Sequence, residues 1–401
     1  MLKKKLLIIG HIFPESKATA AGWRMLKLID TFKDRYEVFF ATAAQRSENS
    51  DDLAQVDHVL HFPLNEDSVS EQLVSINPDV VIFDRFYTEE MFGWRVAEVI
   101  PNAHRVLNSE DLHFLRLSRE KWVNEHKVVA PLNLAGDYRK DVTTREIASI
   151  LRCHTSLIIS RVEMDLLINE FKIPSHKLAF LPLQLPQSNF NFTGIKQDFC
   201  FIGNGIHKPN ADAITWLVKE IWPIIQKRLP QAKLNIACGY TTSVLRQLLA
   251  KKKNIQLHER VEDASLFVQQ HKVQLMPIRF GAGIKGKVLE SIVNQTPFVC
   301  TSIALEGIGT DYSFCSNEID NFVEKAIELF QQESSYQQAF EEMKAIADDY
   351  PSFELHAEKV QGHLEKDVVT DWFAETLLAQ QTNATKYLSK YIIEKNRLLA
   401  D

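Results

Sequence analysis

Five cysteines are scattered over 401 residues (Cys153, Cys200, Cys238, Cys300 and Cys315), an odd number without a C-x-x-C pair. That pattern excludes a disulfide framework and a zinc ribbon, and it leaves buried thiols of a reducing compartment as the expectation. Long apolar runs are missing as well. No stretch approaches the ~18–20 residues that cross a bilayer, so any membrane contact would be peripheral. The opening "MLKKKLLIIGHIFPES" has the basic start of a signal peptide, but its apolar run ends at Gly10, His11 and Pro14, and it reads as a first strand. Neither sign of charge dominates: 46 Lys and Arg face 52 Asp and Glu, for a net charge of −6. A surface built broadly to coat nucleic acid is thereby disfavoured. Short-period repeats and low-complexity tracts are lacking.

What is present is an ordinary globular composition, 45% hydrophobic and 24% charged, in a chain too long for one core. Short apolar runs bounded by turn residues recur at 5–9, 37–40, 58–62, 80–83, 105–107 and 157–159, with helix-like segments between most of them. Such alternation signals βαβ units and a parallel sheet buried on both faces. After "LPLQLPQSNFNFTG" (181–194), which reads as a linker, the pattern restarts. Further strands are expected near 199–202, 234–237, 255–257, 273–276, 298–300 and 312–315, with helices over 211–228, 261–270 and 285–294. The fold class is therefore α/β, two tandem Rossmann-like, doubly wound domains facing a cleft, with a C-terminal helical extension. The domains are placed at 1–185 and 196–350. The segment 351–401, with Leu355, Val360 and Leu364 near helical spacing, is expected to be helical and to cross back in its first part to the N-terminal domain. Sheets of this kind bind ligands at the carboxyl ends of their strands.

One such end carries "MPIRFGAGIKGKVLE" (276–290). Pro277 breaks the strand, and Gly281 and Gly283 permit close approach of backbone to a ligand. The helix that follows begins with Lys285 and Lys287, with Arg279 just before. A helix N-terminus is the positive end of the dipole, where a cation costs ~0.3–1 kcal/mol. Either this is an ordinary basic surface loop or an anion completes the arrangement, because phosphates bind helix N-termini and lysine supplies point charge. Glu290, three residues after Lys287, either pairs with that lysine on the surface or accepts hydrogen bonds from the two hydroxyls of a ribose. No G-x-x-x-x-G-K-[ST] loop occurs, and no G-x-G-x-x-G follows the first strand.

These residues, together with "FIGNGIHKPNADAITWLVKEIWPIIQKRLPQAKLNIACG" (201–239), resemble the C-terminal domain of GT-B fold glycosyltransferases of the large retaining family 4. The likeness covers roughly residues 198–310 and extends weakly through "SLIISRVEMDLL" (156–167). It implies an enzyme that binds a nucleotide-diphosphate sugar on the C-terminal domain and an acceptor on the N-terminal one. By position, Arg279, Gly281, Gly283, Lys285 and Lys287 would surround the donor diphosphate and Glu290 would hold the ribose. Gly203, Asn204 and Asn210 would border the donor from the first loop of that domain, and Gly22 from the N-terminal one. The sequence departs from the family in two places. The family commonly has two glutamates eight positions apart, and Ala282 stands where the first would be; only His207 and Lys208 stand where many members carry an Arg or Lys pair.

In the N-terminal half, the loop "HIFPESKATAAGWR" and the strand ends "FDRFYTEE" and "NSEDLHFLR" bring Asp84, Arg85, Glu110, Asp111 and His113 toward a ligand-binding edge. Asp111 and His113 are the candidate catalytic residues, with a helix cap as the plainer role for Asp111. Retaining transfer, as the resemblance implies it, lets the leaving phosphate help deprotonate the acceptor, so no protein nucleophile is required. No cofactor and no metal are expected, since an Asp-x-Asp motif is lacking and protein cations would take the metal's place. The partners implied are a nucleotide-diphosphate sugar and a glycan or lipid-linked acceptor, with no nucleic acid. A cytoplasmic location, peripheral contact with the inner face of the membrane and self-association through the C-terminal helix go with this reading. A nucleotide-sugar epimerase on the same fold, or a non-catalytic binding protein derived from it, are the alternatives.

Overall fold

The computed structural model describes residues 3–400 apart from 18, 187–192, 251, 310, 366–374, 377–379 and 381. Most of the expected linker at 181–194 is described, but its centre lies outside these residues. The chain divides into two compact units. Met1–Phe114, Lys140–Pro182 and Ser352–Asp401 form the first; Leu115–Arg139 and Leu183–Pro351 form the second. The residue span 115–139, which pattern alone assigns to the N-terminal domain, thus belongs to the second unit. The helix His113–His126 runs across that boundary.

The first unit holds a seven-stranded sheet of β1 (Lys4–Ile9), β2 (Tyr36–Thr42), β3 (His58–His61), β4 (Val80–Asp84), β5 (His104–Asn108), β6 (Thr155–Ile158) and β7 (Leu178–Phe180). Its order is β3-β2-β1-β4-β5-β6-β7 and every pairing is parallel. Leu6, Leu7, Ile8 and Ile9 are all fully buried, which is why β1 reads as a continuous apolar run instead of an alternating one. Leu6 lies opposite Val38 on one side and Val80 on the other. At β7 the sequence offers three residues after a turn, too short for a periodic signal.

The helix Phe353–Leu364 packs into this unit's core beside Leu6, Ile8, Leu28 and Phe32. Its buried stripe is Phe353, Ala357, Val360 and Leu364, whereas Leu355 is 61% exposed. The expectation for Leu355 was wrong because 355, 360 and 364 do not share a face of a 3.6-residue helix, while 353, 357, 360 and 364 do. The last helix, Asn383–Ala400, leaves Tyr387, Tyr391, Leu398 and Leu399 exposed. Among the described residues no helix is long and apolar enough to cross a membrane.

The second unit holds β8 (Gln197–Ile202), β9 (Leu234–Ala237), β10 (Ile255–His258), β11 (His271–Met276) and β12 (Phe298–Cys300), in the parallel order β10-β9-β8-β11-β12. The strand expected at 312–315 is reduced to one parallel bridge between Cys300 and Cys315. The long helix expected at 211–228 is realised as Lys208–Trp216 and Trp222–Arg228 joined by a π turn over Leu217–Ile221, where the Trp222 amide donates to Leu217 O. Pro223 has no amide to offer the preceding turn, so the ladder slips by one residue there.

Candidate functional site

In the second sheet, β9 and β10 lie to one side of β8, and β11 and β12 to the other. The order reverses between β8 and β11, and the loops leaving their carboxyl ends flank a crevice, the place where open α/β sheets bind ligands. The loop from β8 is packed very closely. A Cβ on Gly203 would come within 2.8 Å of the Asn210 side chain, and one on Gly205 within 2.9 Å of Cys238 Sγ and Tyr240 O. Within that loop Ile206 N donates to Asn204 Oδ1 (2.9 Å), and Asn210 Nδ2, from the first turn of the helix that follows, donates to Asn204 O (3.2 Å).

The loop from β11 is anchored by Thr301 Oγ1, which donates to Ile278 O at 2.5 Å. Gly283 has φ 64, in the left-handed region that glycine enters freely. Lys285 precedes the helix Gly286–Val293, which has no acidic residue in its first turn. Its ammonium donates to Gly283 O (2.9 Å) and stands 3.4 Å from Glu306 Oε2. Lys287 Nζ reaches across to the start of the helix Lys208–Trp216 and donates to Asn210 Oδ1 at 2.6 Å, lying 4.6 Å from the centre of the Phe201 ring. Burial lowers the Lys287 ammonium to about 8, against the opposing pull of Glu290. Burial likewise raises the Glu290 carboxyl, with Lys287 working the other way. The structure therefore gathers Gly203, Asn204, Asn210, Gly281, Gly283, Lys285, Lys287 and Glu290 at one switch point.

Arg279 is turned elsewhere. Its Nε donates to Asp212 Oδ2 (2.9 Å) and its Nη1 to Lys127 O (2.9 Å), and the guanidinium lies 5.3 Å from the centre of the Trp216 ring. Sequence reasoning missed Asp212, although it stands two residues after Asn210, and it had no signal for Arg119 and Glu306. Arg119, fully buried, donates to both carboxylate oxygens of Glu306 (2.7 and 2.8 Å) and to Gly281 O (2.8 Å). Burial works against the Glu306 charge, but Lys285 and Arg119 outweigh it and hold the carboxyl below its usual range. The glycine turn is thus fixed through its own carbonyl and through Lys285 by one buried ion cluster.

The first sheet reverses between β1 and β4. Polar side chains crowd the carboxyl ends there too. Arg85 (φ 71) and Glu110 (φ 62) follow β4 and β5 in left-handed backbone that costs a non-glycine residue of order 1–3 kcal/mol. Arg85 Nη1 donates to the Tyr87 hydroxyl (2.8 Å), while its buried Nε has no hydrogen-bond partner among the described residues. Glu110 accepts from Asn108 Nδ2 (2.7 Å) and lies 3.6 Å from Arg24 Nε. Burial pushes the Glu110 carboxyl up to about 7, with Arg24 opposing and Asp84 assisting. His113 Nε2 is 3.2 Å from Asp111 Oδ1, and its ring stacks on Tyr87 at 5.6 Å, with His11 edge-on to Tyr87 at 4.7 Å. The amides of His113 and Phe114 donate to Glu146, so a carboxylate from the helix Lys140–Arg152 satisfies this helix start. Gly22 admits the backbone of Glu15, whose atoms would lie 2.4–2.6 Å from a Cβ there. Among the described residues no group of three or more His, Cys, Asp and Glu side chains is placed to hold a metal ion.

The glycine turn, its two lysines and the β8 loop all fall within one matched stretch. Residues 196–332 match the glycosyl transferases group 1 family. A protein of Klebsiella pneumoniae, described as an uncharacterized 44.6 kDa protein in a cps region, is 26% identical over 166 residues, 39% of this chain. The match spans about two fifths of that relative's length, 41%. A glycosyltransferase from Rickettsia africae superposes with a TM-score of 0.62 at 12% identity, covering 90% of this chain and 98% of the other. Anabaena HepE, solved in complex with UDP and glucose, gives a TM-score of 0.63 at 9% identity, covering 90% and 100%. Both units are doubly wound, and the fold is GT-B.

Proposed function

We propose that this protein is a retaining glycosyltransferase that moves a sugar from a nucleotide-diphosphate sugar to a glycan, lipid-linked or related acceptor, in surface polysaccharide or glycoconjugate synthesis. The reading rests on the gathering of Lys285, Lys287 and Asn210 about the glycine turn at the β8/β11 switch point. It is supported by the family match over residues 196–332 and by the UDP and glucose held by Anabaena HepE.

In this mechanism the donor diphosphate lies on the Gly281–Lys287 turn and takes Lys285 and Lys287 as its counter-charges. Glu290, one helical turn deeper, accepts the ribose hydroxyls. As the bond from sugar to phosphate breaks, negative charge accumulates on the departing diphosphate, and ammonium groups already in place stabilise it without reorganisation. Asp111 and His113 serve the acceptor side, where the leaving phosphate oxygen takes the acceptor proton. The cations being protein side chains, transfer proceeds without a divalent metal.

Calorimetric titration with UDP tests the reading. A hydrogen bond to a charged group is worth ~1.5–3 kcal/mol, so Lys285→Ala and Glu290→Ala are each expected to weaken binding about 10- to 100-fold with the circular dichroism spectrum retained. Wild-type affinity in both variants would remove the donor site from these residues. Sugar release from donor that needs an acceptor and persists in chelator distinguishes transfer from epimerisation and from metal dependence.

A further inference from the structure

Two thiols outside the site just described are built to react with each other. Cys300 ends β12 and Cys315 stands directly opposite it: Cys300 N donates to Phe314 O (3.1 Å) and Ser316 N donates to Cys300 O (2.9 Å), the pattern of a parallel bridge. Side chains of directly paired residues project to the same face. Adjacent strands lie ~4.7–4.9 Å apart, inside the ~4.4–6.8 Å between Cα atoms that a disulfide spans. The two thiols lie close enough for each to shift the other's titration. Cys300 is fully buried, whereas Cys315 is partly open to solvent. Cys153, Cys200 and Cys238 are buried and belong to other parts of the fold.

The geometry points to Cys300 and Cys315 as a reversible oxidation site, a thiol pair that small hydroperoxides convert to an intramolecular disulfide. Cys315 is the attacking group. The neighbouring Cys300 draws its thiol below the ordinary range, and the Lys325 ammonium, which donates to Ser313 O, adds to the effect. Cys300, desolvated by burial, stays a thiol. The Cys315 thiolate attacks the peroxide O–O bond, giving a sulfenic acid and hydroxide, which takes up the proton that Cys315 released. Cys300 sulfur then attacks the Cys315 sulfur and the sulfenic oxygen leaves as water with the Cys300 proton. The sum is two thiols and one hydrogen peroxide converted to one disulfide and two waters. A resolving thiol this close protects Cys315 from sulfinic acid, the irreversible next step.

The bridge would lie just before Thr301, whose hydroxyl anchors the glycine turn at Ile278, and on the segment that carries Glu306. It adds a covalent tie where one bridge now holds residues 314–316 against β12.

The test treats the full-length protein with hydrogen peroxide, blocks remaining thiols with an alkylating agent and maps the peptides by mass spectrometry. The expected product is a 300–315 cross-linked peptide pair, lost on adding dithiothreitol, while Cys153, Cys200 and Cys238 are found alkylated after unfolding. Cys300→Ser should divert Cys315 to sulfinic and sulfonic acids, and Cys315→Ser should leave Cys300 unmodified. Free alkylation of both thiols after peroxide, over-oxidation of Cys315 in the wild type, or a bridge to another cysteine would each overturn the proposal.

Discussion

Replacing Glu306 by glutamine tests whether the buried cluster under the glycine turn is held by charge. Glu306 is 7% exposed, and the Arg119 guanidinium that clasps both its oxygens is fully buried. Glutamine keeps the shape but sets an NH2 against a guanidinium N–H and leaves Arg119 and Lys285 without their anion. Two charge-assisted hydrogen bonds at ~1.5–3 kcal/mol each set the upper scale. Breaking one partner of a buried pair costs ~3–5 kcal/mol. Because Arg119 retains Gly281 O and Leu132 O, about 3 kcal/mol is expected for Glu306→Gln. Urea denaturation followed by fluorescence of the second unit's Trp122, Trp216 and Trp222 reads the loss as a shift of midpoint at constant slope. The paired replacement Arg119→Met with Glu306→Leu should recover much of it, since apolar residues of similar volume often substitute for a buried pair at little cost. The pH dependence carries the sign. The Glu306 carboxyl titrates below its ordinary value in the folded protein. Its stabilisation is therefore present above the unfolded value, ~4.3 for glutamate, and is lost as pH falls through the lower folded one. The gap between wild type and variant should be constant near neutrality and close in acid. A loss under about 1 kcal/mol, or a gap that does not change with pH, would refute the charge argument.

Other consequences follow from single side chains. With Lys287 lowered to about 8, diphosphate affinity should fall as pH rises through 8 and beyond, and Lys287→Arg should hold it to higher pH; an affinity flat from pH 7 to 10 would show that Lys287 carries no ligand charge. Val360→Ala should cost ~1–3 kcal/mol and Leu355→Ala less than ~0.5 in thermal or urea unfolding, because only the first faces the core. Gly22→Ala should destabilise by a few kcal/mol, since its Cβ would overlap the Glu15 backbone, which cannot swing aside as a side chain can; a neutral result would mean the 11–19 loop is free to shift.

The amino-acid sequence by itself determined the two parallel sheets and the glycine- and lysine-rich turn after β11. A strand covered on both faces is largely apolar, so the runs Leu6–Ile9 in β1 and Val80–Phe83 in β4 announce themselves, and glycines followed by lysines mark the turn after β11. Register within the helix Phe353–Leu364 was legible in principle, because the stripe at 353, 357, 360 and 364 obeys the helical period. Tertiary structure alone decided what met across the fold. Arg119 and Glu306 are 187 positions apart, as are no residues that a periodic pattern can link, and their pairing depends on residues 115–139 joining the second unit. The same holds for Arg279, which Asp212 claims from 67 positions away. It holds also for Lys287, which reaches Asn210 because β8 and β11 are neighbours in space and not in sequence. Local preference acts over a few residues, whereas charge pairing depends on distance in space, and only the folded chain sets that distance.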